Sequence, residues 1–163
     1  MVHPILLGVI IMSKFTKVTK EVTFDCAHML SGHEALCKNL HGHTYKVQVT
    51  VIGECIEEGS SKSMVIDFKH LKNAINTVIV DKFDHAVIFS AEELRNTAEQ
   101  DLYEWAKKYN MRHFVMPGRT TAEQMAYYFS DAIQQYLIQE VNIENLYSCI
   151  CRVYETPTSF AEV

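Results

Sequence analysis

No run of lysines and arginines lies along this chain, and no apolar stretch is long enough to cross a bilayer. The 163 residues hold 15 Lys and Arg against 20 Asp and Glu, a formal charge of −5. Without a basic stripe the chain cannot neutralise a phosphate backbone, which excludes a direct grip on nucleic acid. Residues 1–11, MVHPILLGVII, are almost wholly apolar. They fall well short of the ~20 residues that a membrane span takes. They also lack the cationic start and the small-residue cleavage site of a secretory signal. A polar opening follows Met12, so residues 1–12 are expected to be an N-terminal extension, with Met12 as the biological start. A weakly inserted anchor is the alternative. Residues 13–163 suit a single domain that needs no disulfide staple. The five cysteines form an odd set without a secretory signal, which points to reduced thiols and a cytoplasmic protein. No repeat architecture is present. The one internal echo, Thr97-Ala98-Glu99-Gln100 and Thr121-Ala122-Glu123-Gln124, reads as two helix starts in which Thr and Glu satisfy free backbone donors.

What is present is a clear alternation. Thr16, Val18, Val22, Phe24, Cys26 and His28 share one parity, interrupted by Lys20. His41, His43, Tyr45, Val47, Val49 and Val51 share another, with Gly42, Thr44, Lys46, Gln48 and Thr50 between them. Such a period of two marks half-buried antiparallel strands over 15–28 and 41–53. Helices are expected at 69–82, at 91–109 and after Thr120 or Thr121. A short strand is expected at 112–116 and a long one at 145–155, with the tail SFAEV pairing again at an edge. The order predicts an α+β layer, with helices packed on one face of an antiparallel sheet. The edges of so small a sheet need cover, and self-association is one way to supply it.

His41-Gly42-His43 carries the strongest chemical signal. Two residues apart on a strand, the imidazoles share a face about 7 Å apart along the chain and are able to converge on one cation. Zn2+ suits imidazole donors, and three ligands leave a fourth position open for chemistry. His28 ends the preceding strand and is the expected third ligand; His33, in a Gly-containing loop, competes for the role. His3, His70 and His113 read as incidental. Cys149 and Cys151 share a face, but no second pair completes a structural zinc site, so they read as small core residues.

Three further groups suit acid–base work. Cys37 lies four residues before His41, and a thiol beside a cationic cluster is drawn toward thiolate, a base or nucleophile. Asp84-His85 is a pair in which a carboxylate orients an imidazole. Glu155 ends an apolar strand face, where a carboxylate is able to accept two N–H bonds from a flat heterocycle.

Together these residues resemble the 6-pyruvoyl- and 6-carboxy-tetrahydropterin synthase family. The resemblance rests on Phe24-Asp25-Cys26-Ala27-His28, Cys37-Lys38-Asn39-Leu40-His41-Gly42-His43-Thr44-Tyr45, Val65-Ile66-Asp67-Phe68, Asp84-His85, Thr121-Ala122-Glu123 and Glu155-Thr156, in family order. It implies the tunnelling fold, a four-stranded antiparallel sheet with helices on one side that assembles into an oligomeric barrel, often a hexamer, with sites between subunits. It implies zinc on His28, His41 and His43. It implies Cys37 as proton acceptor, His85 as its relay partner, Asp84 orienting His85, and Glu155 as pterin anchor. Thr121 and Glu123 match a stretch that lines the pterin pocket. The three residues between Cys37 and His41 resemble the carboxy type, which makes 6-carboxy-tetrahydropterin from 7,8-dihydroneopterin triphosphate on the route to queuosine. Lys38, Lys82 and Arg119 are the candidates for the triphosphate. The chain departs from compact relatives in a longer stretch between His85 and Thr121, and in Cys26 where a small residue is usual. A cupin would want Glu near Val47 or Gln48 and is set aside. A zinc-stabilised binding module would not need Cys37, Asp84-His85 and Glu155 together.

Overall fold

A computed structural model of the chain describes residues 15–95 and 97–163. The expected N-terminal extension, residues 1–12, lies outside the described residues.

The two alternating segments form strands β1 (Thr16–His28) and β2 (His41–Gly53). They pair antiparallel along their full length, from Thr16 opposite Gly53 to His28 opposite His41. β5 (Leu146–Thr156) pairs antiparallel with β2, and the tail returns as β6 (Ser159–Glu162) along β5. Two further strands join on the other side. β3 (Ala86–Ser90) lies parallel to β1, and β4 (His113–Met116) lies parallel to β3. The strand order is β4-β3-β1-β2-β5-β6. The sheet described therefore has six strands rather than the four expected, and it is mixed rather than wholly antiparallel.

One face of the sheet is covered. Phe24, Tyr45, Val47, Val49, Val51, Cys151 and Val153 are all essentially inaccessible there. Helix α1 (Phe68–Ile75) starts where the Asp67 carboxylate accepts the Lys69 N–H at 2.7 Å. A π-helical stretch at Asn76–Val80 carries it into the short α2 (Asp81–Phe83), and Leu71, Ala74, Ile75, Val78, Ile79 and Phe83 all turn inward. The long α4 (Ala122–Glu140) contributes Met125, Phe129, Ile133 and Leu137, spaced by four, as one buried stripe. Each such side chain contributes about 1.5–3 kcal/mol by leaving water.

The remaining helix, α3 (Ala98–Lys108), does not join this layer. Its Tyr103 packs on Phe89 and His113, with ring centroids 5.3 and 5.5 Å away. Alternation places Phe89 and His113 on the opposite face from Ile88 and Phe114. Helices thus cover both faces at the β3–β4 end, a correction to the expected one-sided layer. The face of β1, β2 and β5 opposite the core is bare and polar, with Thr19 and Thr50 bonded at 2.8 Å and Lys46 stacked 4.1 Å over Tyr154. Among the described residues no helix is long and apolar enough to cross a membrane.

Candidate metal centre and active site

The β1–β2 register sets His28 opposite His41 and Cys26 opposite His43, all at one end of the covered face. The three imidazoles stand with ring centroids 4.5, 5.0 and 5.4 Å apart, and one ring nitrogen from each lies within 4.8 Å of the others. Gly42 permits this closeness. A Cβ there would meet the Cys26 carbonyl oxygen at 3.1 Å, so a larger residue would require the paired backbone to give by a few tenths of an ångström.

Backbone carbonyls fix two of the rings. His28 Nδ1 lies 2.7 Å from the Thr120 carbonyl oxygen and His41 Nδ1 lies 2.8 Å from that of Asn39. A carbonyl only accepts, so each Nδ1 carries a proton, and Nε2 is the nitrogen that a neutral ring leaves free to ligate. His43 Nε2 is buried and has no hydrogen-bond partner among the described residues. Burial, and then the neighbouring imidazoles, hold His28 and His43 below the ordinary histidine range. Three convergent imidazoles with an orphaned nitrogen among them fit a zinc ion. His33 is not part of the cluster: it is exposed, and its Nδ1 accepts the Ala35 N–H at 3.0 Å.

Glu155 adjoins the three histidines. Its Oε1 lies 3.7 Å from His28 Nε2 and 3.8 Å from His43 Nε2, and it accepts the Tyr45 hydroxyl at 3.3 Å. Burial raises the Tyr45 phenol far above its ordinary range, so the hydroxyl remains a donor. Cys37, half-buried in the single turn Leu36–Lys38, opens onto the same space. A cavity of about 230 Å3 is lined by His28, Cys37, Thr121, Glu123 and Glu155. One chain therefore assembles the three histidines, the Cys37 thiol and the Glu155 carboxylate. The thiol of Cys26 is different: burial, then the charges of Asp25 and Asp84, push it up to about 12. It stays protonated near neutral pH.

Asp84 and His85 lie elsewhere. Asp84 Oδ1 accepts the Asp25 N–H at 3.1 Å and stands 3.0 Å from His85 Nδ1. The Asp25 N–H, followed by the His85 imidazole, holds Asp84 below the usual carboxylate range. His85 takes a left-handed backbone, φ 58°, and donates its own N–H to the Asp25 carbonyl at 2.6 Å. Its side chain is 75% exposed. A separate cavity of about 460 Å3 is lined by Asp25, Ala27, Gly42, Thr44, His85 and Val87 of the bare face, together with Cys26, His43 and Ala86. The expected meeting of Cys37 with Asp84-His85 does not occur within the chain, because the sheet lies between them. Asp25, which no spacing signal singled out, joins this second cluster: its carboxylate accepts the Thr44 hydroxyl and lies within 4.8 Å of the Asp84 and His85 donors.

Of the three candidate cations, Arg119 is engaged with the Ser31 carbonyl at 2.8 Å and with Glu93 at 3.2 Å. Lys82 reaches the Tyr128 hydroxyl at 3.3 Å. Lys38 is exposed beside Cys37.

Known proteins are similar to nearly the whole of this chain. A 6-carboxy-5,6,7,8-tetrahydropterin synthase of Haemophilus influenzae is 40% identical, covering 90% of this chain and 96% of its own length. One from Rickettsia typhi is 30% identical, over 90% of this chain and 99% of its own. The solved structure of Plasmodium falciparum 6-pyruvoyl tetrahydropterin synthase superposes with a TM-score of 0.66 at 21% identity, covering 91% of this chain and 96% of that one. The family profile of 6-pyruvoyl tetrahydropterin synthase matches residues 17–163. The chain is an enzyme of the 6-pyruvoyl tetrahydropterin synthase family.

Proposed function

We propose that this enzyme is a zinc-dependent 6-carboxy-tetrahydropterin synthase, residues 13–163 forming its single domain. It converts 7,8-dihydroneopterin triphosphate to 6-carboxy-5,6,7,8-tetrahydropterin, with release of acetaldehyde and triphosphate, as a cytoplasmic step of queuosine biosynthesis. The observation that carries the reading is the single cavity in which His28, Cys37 and Glu155 meet, with His41 and His43 completing a three-nitrogen centre. The names of the relatives and the three residues between Cys37 and His41 favour the carboxy product.

His28, His41 and His43 hold the metal; when bound there, zinc supplies Lewis-acid polarisation of the substrate side-chain oxygens. The protein does the rest. Glu155, oriented by the Tyr45 hydroxyl, accepts the N–H edge of the pterin ring, so that only the side chain is left to react. Thr121 and Glu123 line the ring. Cys37 takes the proton from the side chain and returns it. His85 relays protons, and Asp84 fixes its tautomer by accepting from Nδ1–H. Because the sheet separates Cys37 from His85, the relay is completed by a second copy of the chain, whose bare face brings its own Asp84-His85 pair to this cavity. A barrel-like homo-oligomer, with a hexamer as the expected size, provides that contact. No nucleic acid or membrane takes part.

The second reading is a 6-pyruvoyl synthase, favoured by the name of the matching family profile. Product analysis decides. Zinc-loaded enzyme with 7,8-dihydroneopterin triphosphate should yield acetaldehyde and a carboxylated tetrahydropterin. Triphosphate release with a pyruvoyl product would select the second reading. A non-catalytic zinc module would give neither product, and it would unfold on chelation rather than first losing activity.

A further inference from the structure

Glu99, at the start of α3, is fully buried, a rare place for a carboxylate. Both of its oxygens are used. Oε1 accepts the Ser90 N–H at 2.7 Å, and Oε2 accepts the Ser31 hydroxyl at 2.9 Å. Burial raises this carboxyl above its ordinary range, and the two hydrogen bonds oppose that.

Ser31 belongs to the loop between β1 and β2, the loop that carries Cys37. It is held from two sides, for its carbonyl accepts Arg119 Nη2 at 2.8 Å. The residue before it, Leu30, donates its N–H to the Cys37 carbonyl at 2.9 Å. The path from the carboxylate to the thiol residue is thus one side-chain hydrogen bond, one peptide and one backbone hydrogen bond. The loop end is stitched once more, where the Thr120 hydroxyl donates to the Met29 carbonyl at 3.2 Å. None of these contacts is made to an Nε2 atom of the three histidines, while Leu30 and Cys37 themselves line the cavity.

We propose that Glu99 is a positioning residue for Cys37: through Ser31 its carboxylate fixes the loop between His28 and His41, and so places the thiol over the cavity. The inference rests on the reading of Cys37 as the proton acceptor. It gives α3 and the long stretch between His85 and Thr121 a task, which is to anchor a catalytic loop from the far side of the sheet.

Ser31→Ala cuts the link and leaves the bond from Ser90 to Glu99 intact. The experiment follows alkylation of each thiol by iodoacetamide on the zinc-loaded enzyme, read by peptide mass, together with kcat, KM and zinc content. Cys55 is exposed and distant in sequence, and serves as the internal reference. In Ser31→Ala the Cys37-to-Cys55 rate ratio should change about threefold or more and kcat should fall roughly tenfold, with KM within about twofold and zinc retained. Glu99→Ala should behave alike, whereas Glu99→Gln, which keeps an acceptor for Ser90, should restore most of kcat. If Glu99→Ala does not fold, Ser31→Ala and Glu99→Gln decide. An unchanged ratio and kcat in Ser31→Ala would overturn the proposal. So would a uniform rise that includes the buried Cys26, Cys149 and Cys151, since that marks general loosening. If the wild-type enzyme makes no pterin product, the proposed function fails, while the thiol ratio still reports on the clamp.

Discussion

At the end of the sheet where His28 faces His41, the two faces of the same strands hold two chemically distinct groups. On the covered face the His28 side chain is 1% exposed, its ring is pinned by the Thr120 carbonyl, and Glu155 and Tyr45 pack against it. On the bare face the His85 side chain is 75% exposed and, among the described residues, is held by Asp84. Packing against helices fixes the first group within one chain. The second is oriented by hydrogen bonds but left open to water, and water weakens every electrostatic effect on which a proton relay depends. On the proposed reading, the contrast teaches that the chain builds one half of a reaction centre for itself and presents the other half outward.

The largest effect should come from the covered face. His41→Ala should abolish both bound metal and turnover while far-UV circular dichroism is unchanged, because Tyr45, Val47 and Val49 still pack. Retained metal in that variant would break the three-histidine centre. His85→Ala should keep full metal content and lose turnover by about 10²–10⁴-fold. Mixing reassociated Cys37→Ala and His85→Ala chains should then restore part of the activity. If it does not, the two residues act within one chain and the contrast between the faces is wrong. Asp84→Asn should cost less, about 10–100-fold, as a partner that orients rather than reacts.

A smaller effect appears in acid stability. The folded Asp84 carboxyl is depressed, so the native state binds fewer protons there than the unfolded chain. Its contribution is present above the unfolded value of about 4 and is lost as pH falls through the folded value. Glu99 has the opposite sign: its raised carboxyl adds stability that is present below about 4.3 and is lost as pH rises through its folded value. Urea titrations from pH 3 to 7 should therefore show Asp84→Asn removing a rise and Glu99→Gln removing a fall. The smallest effect belongs to the bare face away from the pair: Thr50→Val should change the stability of a single chain by no more than about 0.5 kcal/mol in the same titration.

The sequence revealed much of this, unevenly. β1 and β2 agree with the alternation to within a residue, because one face is buried and the other is not. β3 escaped notice because Ala86-Val87-Ile88-Phe89 is apolar throughout, covered by the core on one side and by α3 on the other, which erases the period of two. Missing β3 hid the parity of His85, and with it the separation of His85 from Cys37. The helix expected from residue 91 begins only at Ala98, because Thr97 caps it by accepting the Gln100 N–H at 3.3 Å. The two Thr-Ala-Glu-Gln segments do start helices, as read. Yet Glu123 is exposed and Glu99 is fully buried, a difference that local sequence cannot carry because it depends on Ser31 and Ser90 from elsewhere.

The π-helical stretch at Asn76–Val80 restricts how the chain is able to change in length. A π turn holds one residue more than an α turn over the same rise. Here it lets Ile75, Ile79 and Phe83 all point into the core and still delivers Asp84 to the Asp25 N–H. Removing a single residue between 76 and 83 would swing everything after it by roughly 100° about the helix axis. Either the buried stripe or the carboxylate would then be misplaced. The exposed residues 57–60 face no such demand. Natural insertions and deletions should accumulate there and spare the approach to His85.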